Sequence, residues 1–332
     1  MTCRWGGAPI QWHVVTPPPP PPPARSTARP AARPAARPTA LGAALVAVAL
    51  VATACGGAAA AARTNDAPVV TVAVGLWPLA QAAAAVGQGN VRVVDVVPAG
   101  QDPITYRLTA AQRQQVRHAG VVLEAAPSLQ PSFTAAAAAA GAARVVDVAP
   151  AGPGYPWLSP YRMESVSRAI ERALVAADPQ ARPTFANGNA DEQALLASLD
   201  GDYQSTLATC PSQAMVTSDA AFTALDGRYP VHVVAIDGPA PAPLRPDAST
   251  IAQEVATVRS AGVHAVYRDS WQPIDGLLPM QAETAVALRT IDPLTGVPPG
   301  GWPHGLSSYF SLMESNLEVI AGAMGCYAPG QG

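Results

Sequence analysis

The chain has 332 residues, of which 49% are hydrophobic and 13% are charged. This composition is typical of a soluble globular protein and excludes a multispan membrane protein. Residues 1–54 contain five arginines and no acidic residue, so the other 278 residues carry fifteen arginines against 23 acidic side chains, a net charge of −8. An acidic surface of this kind argues against a nucleic acid as the partner.

The first 54 residues differ in composition from the rest of the chain. A run of prolines at 17–23 and the Arg-Pro repeats that follow predict a disordered, polyproline-type extension. The apolar stretch 40–55, which ends in VATAC, is too short for a comfortable transmembrane helix and is typical of a secretory signal. VATAC resembles a bacterial lipobox, so we expect Cys55 to be the lipidated first residue of the mature protein. The alternative is an ordinary signal peptide with a cysteine there by chance.

Two cysteines remain in the exported part, Cys210 and Cys326. An even pair in an exported domain favours a disulfide. A zinc site is the weaker alternative, because neither cysteine has further ligands nearby in the sequence.

After a flexible tether at 55–67, strands and helices alternate regularly. Such alternation predicts a parallel sheet covered by helices. Thr109 is the predicted N-cap of the second helix, and Gly120 its terminator. The predicted strands are 68–76, 91–98, 121–126 and 143–150, and the helices between them are 78–87, 109–120 and 131–141.

The alternation stops at 152–160, where Gly and Pro are frequent, and resumes after two predicted helical segments. The fold class predicted is α/β, with two lobes that each contain a parallel sheet flanked by helices and that are joined by a connecting helix. Ligands are expected between the lobes. The predicted divisions are an N-terminal lobe at 68–160, connecting helices at 161–177 and 179–209, a C-terminal lobe at 210–327 and a tail at 328–332. Within the C-terminal lobe the strands are 214–219, 231–237, 262–269 and 286–292, with helices at 247–262 and 307–325.

A candidate ligand-binding loop follows the second predicted strand, within VVPAGQDPITYRLTAAQ at 96–112. A loop at the carboxyl end of a strand is where an α/β protein usually holds its ligand. Ile104 lies at the centre of this loop, however, and its side chain can neither ligate a metal nor form hydrogen bonds.

Several motifs in order resemble the metal-binding solute receptors of bacterial ABC importers, the zinc/manganese family of periplasmic-type lipoproteins. The likeness runs from about residue 69 to 325 and rests on AGQDP, PWLSP, VTSDAAF, TIDPLTG and SSYFSLMESNLEVI. The family usually shows Gly-x-Asp-Pro-His, His-x-Trp-Leu-Asp-Pro and Thr-Ser-His-x-Ala-Phe, and a late acidic residue before Pro-Leu. The resemblance implies a receptor bound to the membrane by its lipid, on the outer face of the cytoplasmic membrane, that works as a monomer with an ABC permease.

The resemblance also implies a metal site built from four side chains, typically three His and one carboxylate. Position by position, these become Ile104, Tyr155, Asp219 and Asp292 in this chain. Only the two aspartates bind a metal well, and Tyr155 is a weaker ligand. An oxygen-only set suits Mn²⁺ better than Zn²⁺, which favours imidazole. The transported ligand is therefore expected to be one divalent metal, Mn or Zn, at a remodelled site.

Other residues are candidates for lining the cleft. His304 lies in a Gly/Pro-rich loop after Asp292, and Arg107 follows the Ile104 loop. Arg268 precedes Asp269, which matches a position where the family often has Glu. The arginines could donate hydrogen bonds to a small organic or anionic ligand, and Tyr155 and four tryptophans could offer it stacking surfaces. The alternative is that both arginines are solvated and most of the tryptophans belong to the core. The tryptophans are Trp77, Trp157, Trp271 and Trp302.

Two classes of function therefore remain open. One is a metal receptor with a remodelled site; the other is a protein of the receptor fold that has lost metal binding and takes another solute or acts as an accessory or adhesion protein. We do not expect an enzyme, because the sequence has no nucleophile elbow, no His-Glu-x-x-His and no phosphate loop.

Overall fold

A computed structural model describes residues 69–141, 145–149, 151–236, 246–302 and 305–326. The expected signal, tether and lipid site at Cys55 lie outside these ranges, as do His304 and the tail. No helix in the described ranges is both long enough and apolar enough to span a bilayer.

The N-terminal lobe is built on a parallel sheet with the strand order β2-β1-β3-β4. Its central strands are buried, and helices pack against the sheet. Thr109 caps the second helix as predicted, because its side chain accepts from the Gln112 amide while the Gln112 side chain accepts from the Thr109 amide. The strands are β1 Val70–Val74, β2 Val91–Asp95, β3 Val121–Glu124 and β4 Val145–Asp147, and the helices are α1 Trp77–Gly87, α2 Ala110–His118 and α3 Pro131–Ala138.

Two long helices, α4 Pro160–Ala177 and α5 Arg182–Leu207, connect the lobes. The sequence predicts a single segment at 179–209, but the chain first makes a 3-10 turn at Pro179–Ala181. The Asp178 carboxylate causes this difference, because it accepts from the amides of Gln180 and Ala181 and so caps a separate turn.

The C-terminal lobe repeats the topology of the first, with the parallel order β6-β5-β7-β8. Together the two sheets confirm the predicted fold class. The short helix α7 is absent from the sequence prediction. The strands are β5 Ala214–Thr217, β6 His232–Ala235, β7 Ala265–Asp269 and β8 Ala287–Ile291, and the helices are α6 Ala248–Ala261, α7 Leu278–Thr284 and α8 Tyr309–Met324. Further 3-10 turns lie at Pro127–Leu129, Pro156–Leu158, Ala221–Leu225 and Ile274–Gly276.

Helix α5 is bonded to the C-terminal lobe through buried polar side chains. The Tyr203 hydroxyl donates to the Met313 carbonyl of α8 at 2.8 Å. Asp200 accepts from the Tyr229 hydroxyl at 2.8 Å and forms an ion pair with Arg228. Because α5 also packs on α1 and α4, one helix joins both halves of the molecule.

The predicted disulfide between Cys210 and Cys326 is confirmed. It links the segment after α5 to the end of α8 across 116 residues. A covalent link over so long a loop restricts the unfolded chain more than the folded one.

Replacing both cysteines, Cys210→Ser with Cys326→Ser, should lower the free energy of unfolding by about 2–5 kcal/mol. Urea denaturation followed by circular dichroism measures the change. Reduced wild-type protein is the control and should unfold like the double variant. Equal midpoints for the oxidised wild type and the double variant would show that the bridge adds no stability.

Glu192 on α5 is 5% exposed, and burial raises the pKa of its carboxyl group to about 7. The unfolded chain ionises this group near its ordinary pKa of 4.5. The folded state therefore loses stability relative to the unfolded state as the pH rises from about 4.5 to about 7, by up to about 3 kcal/mol.

Glu192→Gln should remove this dependence, because the amide does not titrate. The free energy of unfolding of the variant minus that of wild type should rise by about 1–3 kcal/mol between pH 4 and pH 8. Urea titrations at each pH measure this difference. Asp202→Asn, at an exposed position of the same helix, should show no such trend. Parallel pH profiles for wild type and Glu192→Gln would rule out a buried ionisable Glu192.

Candidate functional site

Three aspartates lie at the carboxyl edge of the C-terminal sheet. Asp219 follows β5, Asp269 ends β7 and Asp292 follows β8. Because these strands are parallel neighbours, their carboxyl ends meet at one edge. This edge is the usual place for a ligand in an α/β fold.

Each of these aspartates is held by its own loop through the same local motif. One carboxylate oxygen, Oδ1, accepts from the backbone amide two residues later. The distances are 2.7 Å from Ala221 to Asp219, 2.7 Å from Trp271 to Asp269 and 2.8 Å from Leu294 to Asp292. The motif fixes the orientation of each carboxyl group and stabilises the turn that leaves the strand.

Asp219 and Asp269 interact directly, and both are mostly removed from water. Burial raises the pKa of Asp269 well above its ordinary value, and the nearby charge of Asp219 raises it further. Burial also raises the pKa of Asp219, against the effect of its hydrogen bonds with the Ala221 amide and the Asp269 side chain. Because both carboxyl groups are buried close together, ionising both is disfavoured, and a cation bound beside them would favour the ionised forms.

Asp292 is the third member of the cluster. Burial raises its pKa to about 6, although hydrogen bonds from the Leu294 amide and the Ser270 hydroxyl favour the ionised form. The Ser270 hydroxyl donates to Oδ2 at 2.8 Å. The backbone of Asp292 is fixed by Asn316 of α8, which accepts from its amide at 2.9 Å and donates to its carbonyl at 2.7 Å.

Tyr155 contributes to the site from the N-terminal lobe. Its amide donates to the Ala221 carbonyl at 2.9 Å, and its ring lies 4.9 Å from the Trp157 ring. Burial raises the pKa of the Tyr155 phenol above its ordinary value, and so do the charges of Asp219, Asp269 and Asp102. Tyr155 is therefore a neutral phenol among carboxyl groups from both lobes.

The loop that carries Ile104 keeps an ordered turn. Asp102 accepts from the Ile104 amide and from the Thr105 hydroxyl, each at 3.0 Å, and the Gln130 side chain donates to the Pro103 carbonyl at 3.0 Å. Ile104 is half-buried at the centre of this turn. The loop thus supplies an aliphatic surface where the resemblance implies a ligand.

The other predicted residues are distributed unevenly around this site. The structure brings Asp269 into the carboxylate cluster, a larger role than the sequence indicated. Arg268 is bonded within its own lobe, because it donates to the Gln272 carbonyl and to the Thr290 hydroxyl. Trp157 is fully buried with its indole bonded to the Pro293 carbonyl, so it belongs to the core. Arg107 is exposed, and its role stays a prediction.

Asp102 and Ser270 belong to the site, but the sequence did not predict them as site residues. Both lie beside predicted residues, yet nothing in a single sequence shows that Asp102 approaches Tyr155 across the lobe or that Ser270 reaches Asp292. In the described part of the chain, no group of three or more His, Cys, Asp or Glu side chains is arranged to hold a metal ion.

Two α/β lobes with a binding edge between them define a bilobal solute-binding fold, and comparisons with known proteins agree. A family model, the zinc-uptake complex component A, periplasmic, matches residues 72–323. The chain belongs to this family.

Similar proteins include curated relatives and solved structures. The zinc-binding protein AdcA of Streptococcus pyogenes is 29% identical over 168 residues, which are 49% of this chain and 32% of that protein. The zinc-binding lipoprotein AdcA of Streptococcus pneumoniae is 29% identical over 166 residues, with the same coverage of 49% and 32%. The chain thus matches about a third of the length of these relatives. The Zn(II)-bound ZnuA-like domain of the pneumococcal AdcA has a TM-score of 0.66 and 20% identity, over 77% of this chain and 99% of that one.

Ile104→His should restore an imidazole to the loop position where the family carries its first ligand. We expect Zn²⁺ affinity to increase at least about tenfold, because imidazole is a favourable zinc ligand. Isothermal titration calorimetry measures the difference from wild type. Thr105→His, at the exposed neighbouring position, is the matched control. Equal gains in both variants would mean that residue 104 does not face the site.

Proposed function

We propose that the chain is the extracytoplasmic solute-binding lipoprotein of an ABC importer, with one divalent metal ion as its cargo. It acts as a receptor and not as an enzyme. Membership of the zinc-uptake family over residues 72–323 supports this assignment. The repeated parallel sheet in two lobes supports it as well.

The observation that carries the proposal is the carboxylate cluster of Asp219, Asp269 and Asp292 facing Tyr155. When ionised, Asp219 and Asp292 both disfavour the charge on Asp269, so a bound cation would stabilise these groups. All the candidate donors are oxygens, which favours Mn²⁺ over Zn²⁺. Binding is weaker than at a site of three imidazoles, because the described residues do not already form a three-ligand cage.

The remaining features of the proposal follow from the sequence and the family. The lipid on Cys55 holds the receptor at the outer face of the cytoplasmic membrane, and an ABC permease takes up the cargo. The pneumococcal relative is itself named a lipoprotein. The receptor works as a monomer.

Thermal unfolding with and without MnCl₂ or ZnCl₂ tests the metal. A cargo that binds only the folded state must raise the melting temperature. The shift should be larger at pH 7.5 than at pH 5.5, because Asp292 with a pKa of about 6 must lose its proton to bind.

Asp219→Asn and Asp292→Asn should each abolish most of the shift at pH 7.5. Asp275→Asn, an exposed position of the same lobe, is the control and should keep it. Full shifts in both site variants would place the metal elsewhere.

Two observations favour a second candidate function. Ile104 stands at the first ligand position, and the described ranges contain no group of three ligands. In that case the fold has lost metal binding and serves another small solute, or an accessory or adhesion role. No melting-temperature shift at saturating Mn²⁺ or Zn²⁺ would select this alternative.

A further inference from the structure

Charged residues are divided unequally between the two halves of the molecule. Residues 69–160 contain five arginines and four acidic side chains, a net charge of +1. Residues 161–332 contain nine arginines and eighteen acidic side chains, a net charge of −9. Such asymmetry within one chain is typical of a protein that meets a charged surface. The N-terminal lobe is therefore the part of this acidic protein that an anionic surface repels least.

The N-terminal lobe also separates its own charges. Asp95, Glu124 and Asp147 are the last residues of β2, β3 and β4, and Asp102 lies in the loop after β2. The sequence of this lobe has no other acidic residue. All of its negative charge is thus at the carboxyl edge of the sheet, on the same side as the Ile104 loop, and the amino edge has none from this lobe.

Basic residues gather at one corner of the amino edge. Helix α2 returns the chain from the carboxyl edge to the amino edge, and its last turn carries Arg117 and His118. The Gly120 amide then donates to the Thr71 carbonyl at 2.9 Å, and Thr71 is paired with Arg92 in the register of β1 and β2. Arg92 therefore lies one strand away from the chain that leaves α2.

The side chain of Arg92 lies on the same face of the sheet as α2. Val91 and Val93 pack against the main core, which contains α1, whereas Val94 packs in the cluster that contains Val116 of α2. Successive residues of a strand point to opposite faces, so Arg92 shares a face with Val94 and α2. With Arg113, one turn before Arg117, these residues form a surface that we call the basic corner. It consists of four exposed residues, Arg92, Arg113, Arg117 and His118.

In the described ranges no ion pair neutralises the arginines of the basic corner, because the ion pairs found there involve Arg168 and Arg228. Asp191 of α5 also comes to the amino edge, but on the α1 face of the sheet, where the Gln88 side chain donates to it at 3.0 Å. Basic residues in the last turn of α2 complement the helix dipole. That local role does not account for Arg92, which is on a strand.

The chain enters the lobe at the same edge. Val69 is exposed and directly precedes β1. The fourteen residues from Cys55 to Val69 can span at most about 50 Å when fully extended. A lipid on Cys55 therefore keeps the amino edge close to the bilayer, and so short a link gives even a weak contact a high effective concentration.

We propose that the basic corner binds the anionic phospholipid headgroups of the membrane that carries the lipid anchor. For the anchor, the inference rests on the proposed function. Arginine pairs with phosphate oxygens through two parallel hydrogen bonds, and the acidic remainder of the chain is repelled by the same surface. The receptor is thereby oriented with its amino edge on the membrane. The carboxyl edge with the Ile104 loop then faces the medium from which the cargo arrives.

Protection of arginines from phenylglyoxal tests the contact. The mature chain 55–332 is coupled through the Cys55 thiol to a maleimide lipid, on vesicles of phosphatidylcholine with or without phosphatidylglycerol. Mass spectrometry should show Arg92 and Arg117 modified at least about threefold more slowly on the anionic vesicles, and 0.5 M NaCl should remove the difference. The exposed Arg107 and Arg289, away from the amino edge, are the internal controls and should react equally on both.

A pair of double variants tests whether the basic corner acts as one surface. Arg92→Gln with Arg117→Gln should abolish the protection of Arg113, whereas Arg107→Gln with Arg289→Gln should keep it. Equal rates at Arg92 and Arg117 on both kinds of vesicle, or equal slowing of the control arginines, would overturn the basic corner. The chemical anchor makes this result independent of lipidation in the cell, which fatty-acid labelling of Cys55 tests separately.

Discussion

A buried hydrogen bond joins the two lobes beside the site, from the Trp157 indole to the Pro293 carbonyl at 2.7 Å. Trp157 is two residues beyond Tyr155, and Pro293 directly follows Asp292. The bond therefore sets the spacing between the contributions of the two lobes to the site. The Tyr309 hydroxyl donates to the Trp157 carbonyl at 2.7 Å and holds the same turn from α8. A buried donor or acceptor left without a partner costs about 1–3 kcal/mol, so neither bond is easily lost.

With the spacing fixed, the fold must accommodate acidic groups at close range. In the described ranges the ion pairs join Arg168 to Glu164 and Arg228 to Asp200, and neither lies in the carboxylate cluster. The cluster is instead stabilised by raised pKa values and by donors from its own loops. Burial is the largest cause of each shift, and the like charges add to it for Asp269. Under the proposed function, an edge arranged in this way would exchange protons for the cation.

Much of the fold could be predicted from the sequence, because alternating buried strands and capped helices are local patterns. The N-cap at Thr109 and the pairing of the two exported cysteines are examples. Helix α7 could not be predicted, since seven residues give too little periodicity. The approach of Asp102 to Tyr155, and the bonding of Arg268 within its own lobe, depend on tertiary contacts that no local pattern shows. Cys55 and His304 lie outside the described residues, and their roles stay predictions.

The disulfide lies outside the site but supports one of its residues. It secures the end of α8, and the same helix carries Asn316, which holds both backbone groups of Asp292. Loss of the bridge would therefore free the end of the helix that supports one carboxylate of the cluster. One helix thus carries both the covalent link to the segment after α5 and the side chain that holds the Asp292 backbone.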